Sequence, residues 1–215
     1  MTVNDRAYLA ALRQHAADTR TLLSNAQKSE RERMVLRAYL RCLGIPFSDD
    51  EIVAGTEEPI DVLFRSAQFQ IRDVVGNRLR GKEWADREQR YQAAESMSDV
   101  MDPYTPSVAV PFDRSAKMVA DALAGKARHY APATTAALDA LLYLDLANSH
   151  LWPLEPGPAS AVTDELNRQG WRSVSMLSLP YGSVLTASSN APEFLKSKAG
   201  LIFNEWPGPN GWFES

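Results

Sequence analysis

The chain has 215 residues, 45% of them apolar and 23% charged, and its 23 Lys and Arg against 27 Asp and Glu give a formal net charge of −4. That composition excludes disordered and collagenous classes, and the acidic total excludes a general DNA coat, which needs surplus cations to displace counterions. The single cysteine, Cys42, excludes a disulfide scaffold or a cysteine-rich zinc module, and Asp5 and Arg6 sit where a signal peptide needs an apolar core. No apolar run approaches the roughly 18 residues of a membrane span, so a cytoplasmic protein is expected.

Asn4 or Asp5 can cap a first helix whose Leu9, Leu12, Leu22 and Leu23 recur at helical spacing to about Asn25. A second helix is expected from Ser29, which forms a Ser-x-x-Glu capping box with Glu32, to Gly44 and Pro46. Its apolar stripe is Val35, Leu36, Tyr39, Leu40, Cys42 and Leu43. Stepping back three, four and seven residues from Val35, Leu36 and Tyr39 lands each time on Glu32, which therefore lies on the core-facing side, with Glu30 pointing away. A polar loop over 48–58 follows. Then come two short runs, 60–64 and 67–74, separated by Arg65 and Ser66, which read as an antiparallel hairpin. Residues 82–97 read as a charged helix, 98–113 with Pro103, Pro106 and Pro111 as a connector, and 115–123 as a helix ended by Gly125. The run 141–146 suits a buried strand. A helix ending at Gly170, a strand at Val174 and Met176, a Tyr181-Gly182 turn, a strand over 184–187 and a short helix over 192–198, capped by Asn190, complete the chain.

The hairpin is the most informative stretch. If it turns symmetrically about Arg65 and Ser66, Asp61 faces Gln70, with Cβ atoms about 4.5–5.5 Å apart on one face. Period two then places Gln68, Gln70 and Arg72 together on that face and Phe69 and Ile71 on the apolar one, so that one side is core and the other chemistry or solvent. An acid, an opposed oxygen donor and a nearby cation match a metal-dependent phosphodiester-cleaving site, in which carboxylates hold Mg²⁺ and the metal polarises the phosphate and acidifies a bound water. The same residues also suit a hairpin with one plainly solvated face.

Glu58-Pro59-x-Asp61-Val62-x-Phe64-Arg65 and Ala67-x-Phe69-x-Ile71, with Ser24-Asn25-Ala26 leading to Glu30-Arg31-Glu32-Arg33 and with Gln169-Gly170-Trp171-Arg172-Ser173, resemble a bacterial family of unknown function, domain of unknown function seventeen-eighty. That family is labelled "putative endonuclease", and its structural relatives are the restriction-endonuclease-like, PD-(D/E)xK superfamily. The resemblance covers nearly the whole chain. It implies an α/β, restriction-endonuclease-like fold: a small mixed central sheet flanked by helices, with helical elaborations. The implied single domain spans 1–215, divided into N-terminal helices (1–44), hairpin and following helix (45–97), helical insertion (98–135) and C-terminal sheet and helix part (136–215).

Carried over residue by residue, the resemblance gives catalytic positions Asp61 (the motif aspartate), Gln70 (the second acid) and Arg72 (the lysine), with Glu32 as a helix-borne acid. Asp61, Gln70, Glu32 and the Ile71 carbonyl would hold Mg²⁺ or Mn²⁺. Two positions depart from the superfamily pattern: glutamine removes one negative charge from the metal site, and arginine, with a pKa above about 12, cannot act as a base. The implied partner is DNA or RNA and no membrane, with a homodimer left open. The alternative is a non-catalytic nucleic-acid-binding or protein-interaction module on a nuclease-like fold.

Other constellations compete. Gly76-Asn77-Arg78-Leu79-Arg80-Gly81-Lys82-Glu83 fits G-x-x-x-x-G-K after a strand and before a helix, and the run to Asp145 resembles the partner strand of a P-loop nucleotide binder. Glu83, however, replaces the hydroxyl such a loop needs. A pairing of the preceding strand as a hairpin instead of a parallel βαβ unit also counts against it. His15, His129 and His150 lack metal-ligand spacing, Cys42 lies on an apolar helix face, and Trp206 and Trp212 sit in a Pro/Gly-rich tail suited to packing or stacking. Residues 1–130 hold 19 basic and 19 acidic side chains and 131–215 hold four and eight, so the charge deficit belongs to the last third. Arg65, Arg72, Arg78, Arg80 and Lys82, opposed over 65–82 only by Asp73, form a local basic strip. With Lys126 and Arg128 they are the expected phosphate contacts; these exclude Arg72, which is assigned to the catalytic set.

Overall fold

A computed structural model describes residues 3–75, 81–146, 149–152 and 160–204. Helix α1 (Val3–Leu22) is followed by one 3-10 turn that runs directly into α2 (Lys28–Cys42). Strands β1 (Ile52–Ala54), β2 (Val62–Phe64) and β3 (Ala67–Val75) form an antiparallel meander. Then come α3 (Gly81–Ala93), β4 (Val108–Pro111), α4 (Phe112–Ala127), the short α5 (Pro132–Thr135), β5 (Asp139–Asp145) and β6 (Ser149–Trp152). The chain closes with α6 (Ser160–Arg168), β7 (Ser173–Ser178), β8 (Tyr181–Ala187), α7 (Glu193–Lys196) and β9 (Ile202–Phe203). Seven strands make one mixed sheet in the order β1-β2-β3-β5-β7-β8-β9, parallel across β3, β5 and β7 and antiparallel elsewhere, while β4 and β6 pair separately in parallel. Among the described residues no helix is long and apolar enough to cross a membrane.

Alternation along β5 shows why the sheet is covered on both faces. Leu141 points to the cluster in which Leu36, Tyr39, Leu40 and Leu43 of α2 meet Phe64 and Phe69, whereas Ala140, Leu142 and Leu144 point to Val119 and Leu123 of α4 and Leu166 of α6. Each fully buried side chain of this size contributes about 1.5–3 kcal/mol relative to exposure. A smaller cluster joins α1 to α3 through Leu9, Ala16, Tyr91 and Ala94.

The hairpin forms about Arg65 and Ser66 with Val62 opposite Phe69, Leu63 opposite Gln68 and Phe64 opposite Ala67. Arg65, at φ 52°, supplies the left-handed residue of the turn. Its faces differ from expectation. The Gln70 face is not solvated: Gln70 is only 4% exposed, because α4 and the segment after it cover that side of the sheet.

Other expectations also change. No capping box forms at Ser29, since the preceding 3-10 turn already supplies helical backbone and Gln27 occupies the cap; the box appears instead between Ser48 and Glu51. The 48–58 loop contains β1, and the 98–113 connector contains β4, each a segment too short to show a period. Helix α4 runs through Gly125, where a side chain would meet open space, and α7 starts after Pro192 with no cap from Asn190. The turn expected at Tyr181-Gly182 lies at Leu179-Pro180, because both residues belong to β8. Gly182 serves a close approach: a Cβ there would sit 3.0 Å from the Cβ of Cys42 on α2. Cys42 itself is buried, its thiol pushed up to about 12 by desolvation, as suits a core residue.

The start of the parallel strands is tied by a buried charge. Asp139, fully buried, accepts from Arg172 (Nε 3.1 Å, and Nη2), from Ser173 Oγ at 2.7 Å and from the Gln68 N–H at 3.0 Å, joining β3, β5 and β7. Removing one member of such a pair leaves the other uncompensated, typically about 3–5 kcal/mol. Asp139→Ala is therefore expected to lower the unfolding free energy by that amount, read in urea as a lower midpoint at unchanged slope, and a loss below about 1 kcal/mol would show that the tie is not stabilising.

Candidate functional site

Strand β2 stops at Val62, whereas β3 continues to Val75, so the far half of β3 presents an edge that β2 does not cover. Asp61 closes the first step of it. Its N–H donates to Phe69 O at 2.9 Å, and its Oδ2 accepts the Ile71 N–H at 2.9 Å, standing in for the next backbone carbonyl. Asp61 and Gln70 are therefore not directly opposed, as the symmetric hairpin suggested. The Asp61 carboxylate turns to Ile71, and Gln70 turns beneath the sheet.

Along this edge runs a cleft of about 470 Å³, walled by α2 on one side and by the end of α4 and Tyr130 on the other. Helix α2 contributes Lys28, Arg31 and Glu32. Lys28 Nζ lies 3.2 Å from Asp61 Oδ1 and 3.3 Å from Glu32 Oε1, so the two carboxylates converge on one cationic point. Burial and then the Asp61 carboxylate hold the Glu32 carboxyl above the ordinary range, while Asp61 also holds the Lys28 ammonium above its own. Arg31 is braced from behind, its Nη1 donating to Leu22 O at 2.6 Å and Ser24 O at 2.8 Å.

Gln70 is the most constrained polar group. Its Nε2 donates to the Tyr130 hydroxyl at 2.7 Å and faces Pro59 O at 3.4 Å. A carbonyl only accepts, so the amide nitrogen must face Pro59, and Oε1 is turned the other way. That oxygen is buried and has no hydrogen-bond partner, as is Nε of Arg72 two residues on. Buried polar atoms left unpaired are rare and costly, so the two are notable so close together in sequence. Tyr130 accepts from Gln70 and retains its own O–H for a further acceptor; its ring is held edge-on to Trp171, with centroids 6.1 Å apart.

The structure thus brings Asp61, Gln70, Ile71, Arg72, Glu32 and Lys126 to one cleft. It does not bring the others. Arg65 sits at the hairpin turn, donating to Glu51 Oε1 at 3.0 Å and Pro46 O at 2.8 Å over the Phe64 ring. Arg128 lines a separate depression with Glu165 and Arg168. Lys82 is exposed at the start of α3, which packs on α1. Arg78, Arg80, Trp206 and Trp212 lie outside the described residues. Because Arg65 sits at the hairpin turn, away from the cleft that holds Arg72, these two members of the basic strip do not share one surface.

The loop of the P-loop alternative, residues 76–80, lies outside the described residues, so only its flanking strand and helix can be compared. β3 does pair in parallel with β5, contrary to the hairpin-only expectation, but α3 leans on α1, and a nucleotide-binding βα unit needs its helix on the sheet. Sequence reasoning missed Lys28, Arg31 and Tyr130. Lys28 was detectable as the i−4 partner of Glu32; Tyr130 carried no signal, being 60 residues from Gln70.

Among the described residues no group of three His, Cys, Asp or Glu side chains is arranged to hold a metal. The donor set nevertheless fits one divalent cation. Asp61 and Glu32 share a point already taken by an ammonium, and Gln70 is among the residues that line the same cleft. The Ile71 carbonyl points to the same edge as its N–H. Mg²⁺ commonly binds through one or two carboxylates plus waters.

A family model described as "Putative endonuclease, protein of unknown function (DUF1780)" matches residues 4–208. A solved structure described as "Protein of Unknown Function PA4535 from Pseudomonas aeruginosa strain PAO1, Monooxygenase Superfamily" is similar at 29% identity and TM-score 0.64, over 94% of this chain and 96% of that one. No curated protein matches.

The raised pKa of Glu32 means its contribution to stability is complete below its ordinary value of 4.5 and is lost as pH rises through the folded value; that of Lys28 is complete below 10.5 and lost above it. Asp61→Asn removes a charge that raises both. In an NMR titration the Glu32 and Lys28 midpoints should both fall, and an unmoved Glu32 midpoint would show that the two carboxylates are not neighbours in solution.

Proposed function

This chain belongs to the DUF1780 family, and we propose that it is a divergent metal-dependent endonuclease of the restriction-endonuclease-like class, acting on phosphodiesters of DNA or RNA. The observation that carries this is the convergence of Asp61, Glu32, Gln70 and Arg72, from two elements and a strand entrance, on one cleft with two unpaired buried polar atoms. An acid at the entrance to one strand, two polar residues at alternate positions of the next and a helix-borne acid are the parts that such a site needs.

Asp61, Glu32 and Gln70 Oε1 would hold Mg²⁺ or Mn²⁺, which when bound supplies a polarised phosphate and an acidified water. The chain's own residues do the rest. Arg72 and Lys126 bind phosphate oxygens; Arg72, always protonated, offsets transition-state charge and takes no proton. Tyr130 and the Pro59 carbonyl hold the Gln70 amide nitrogen in place, and Tyr130 offers its O–H to a phosphate oxygen. Lys28, its ammonium exposed, neutralises the two carboxylates. Gln70 in place of an acid weakens the metal site by one charge.

Purified protein is expected to cleave single- or double-stranded nucleic acid with Mg²⁺ or Mn²⁺ and not with EDTA. Asp61→Ala should reduce cleavage by more than about 100-fold, beyond the 10–100-fold typical of a group that only supports a metal ligand. Gln70→Glu with Arg72→Lys should increase it. The Lys28 ammonium between the carboxylates favours one alternative, a non-catalytic nucleic-acid-binding module. It is distinguished by salt-dependent binding in EDTA, no cleavage under any metal and no gain in the double variant.

A further inference from the structure

A second cavity, of about 140 Å³, lies directly beside the cleft, and the two share Arg31, Val35 and Asp73 as a common wall. The two spaces differ in chemistry. The cleft is walled by charged groups, whereas the second cavity is otherwise closed by apolar or aromatic side chains, among them Leu22, Met34, Tyr143 and Leu179. A ligand that fills both has an anionic end and an uncharged ring end. An apolar cavity of about 150 Å³ is enough for one benzene ring, so the 140 Å³ of this open depression matches a single six-membered ring.

We propose that this cavity receives an unpaired pyrimidine base of the nucleotide whose phosphate occupies the cleft, an inference that rests on the cleft being a phosphodiester site. The ring lies against Leu22, Met34, Tyr143 and Leu179. Its polar edge meets Arg31, whose Nη1 is committed to Leu22 O and Ser24 O while Nη2 and Nε carry three further N–H donors. Both pyrimidines present a ring carbonyl that such a donor satisfies. A base stacked and paired in a duplex cannot enter without being extruded, so the pocket selects single strands, ends or already unpaired nucleotides over intact duplex.

Calorimetric titration of the full chain in EDTA tests this with a pyrimidine nucleoside 5′-monophosphate, a purine nucleoside 5′-monophosphate, deoxyribose 5-phosphate and inorganic phosphate. The pyrimidine nucleotide is expected to bind at least tenfold more tightly than the sugar phosphate and the purine nucleotide. Met34→Trp, which fills the cavity, should bring it down to the sugar-phosphate level while inorganic phosphate binds as before. Leu179→Trp fills the same space from another element if the first variant does not fold, and the comparison among ligands needs neither. Equal affinity for pyrimidine nucleotide and sugar phosphate overturns the base pocket and leaves the cleft reading standing. Equal affinity for purine overturns the single-ring assignment. No binding of any phosphate overturns the cleft reading and the pocket with it.

Discussion

Where β2 ends, the N–H of Ile71 would be left facing nothing, and the carboxylate of Asp61 takes it. That bond lets an antiparallel strand stop after three residues without leaving its neighbour unsatisfied, and everything in the candidate site follows from the space released. The uncovered half of β3 becomes the floor of a cleft, α2 can bring charged residues down to it, and the second Asp61 oxygen meets the Lys28 ammonium. A backbone carbonyl in the same place would have satisfied the N–H but carried no charge. One side chain is thus both a structural cap and the anionic centre of the site, so any substitution there has a folding component as well as a functional one.

The balance of charge around that centre is unusual in being internal. Lys28, Arg31, Arg72 and Lys126 face Glu32, Glu58, Asp61 and Asp73 within one cavity. Exposed pairs of this kind contribute little stability, and Lys28, with its side chain 61% exposed, is loosely held. The carboxylates it touches are the more buried partners. The pair thus sets a loosely held ammonium against two carboxylates that the fold holds in place.

Patterns of short range were legible in the sequence. The hairpin, its register and the inward placement of Glu32 follow from period two, period 3.6 and a two-residue turn, all confined to one or two neighbouring elements. β1 and β4 were not legible, because three or four residues cannot display a period and their pairing partners decide their state. The face bearing Gln70 was misjudged for a related reason: polar residues on alternate positions signal solvent unless a distant element covers them, and Tyr130 and α4 do. Resemblance to the family placed Asp61, Gln70 and Arg72 together, and the cleft contains them, but Tyr130 and Arg31 enter it through tertiary packing alone.

The contact between Gly182 and Cys42 reaches further than the core it belongs to. α2 is pressed onto β8 at its C-terminal end, so closely that a methyl group at Gly182 would need Cys42 to give by a few tenths of an ångström. Glu32 lies ten residues earlier on the same helix, about 15 Å along its axis at 1.5 Å per residue. The helix is thus a lever arm with its fulcrum in the hydrophobic interior and its tip in the cleft. A few tenths of an ångström forced at the fulcrum are comparable, at the tip, to the tolerance of a charged hydrogen bond. A side chain in place of Gly182 would therefore press on the same helix that carries Glu32 into the cleft.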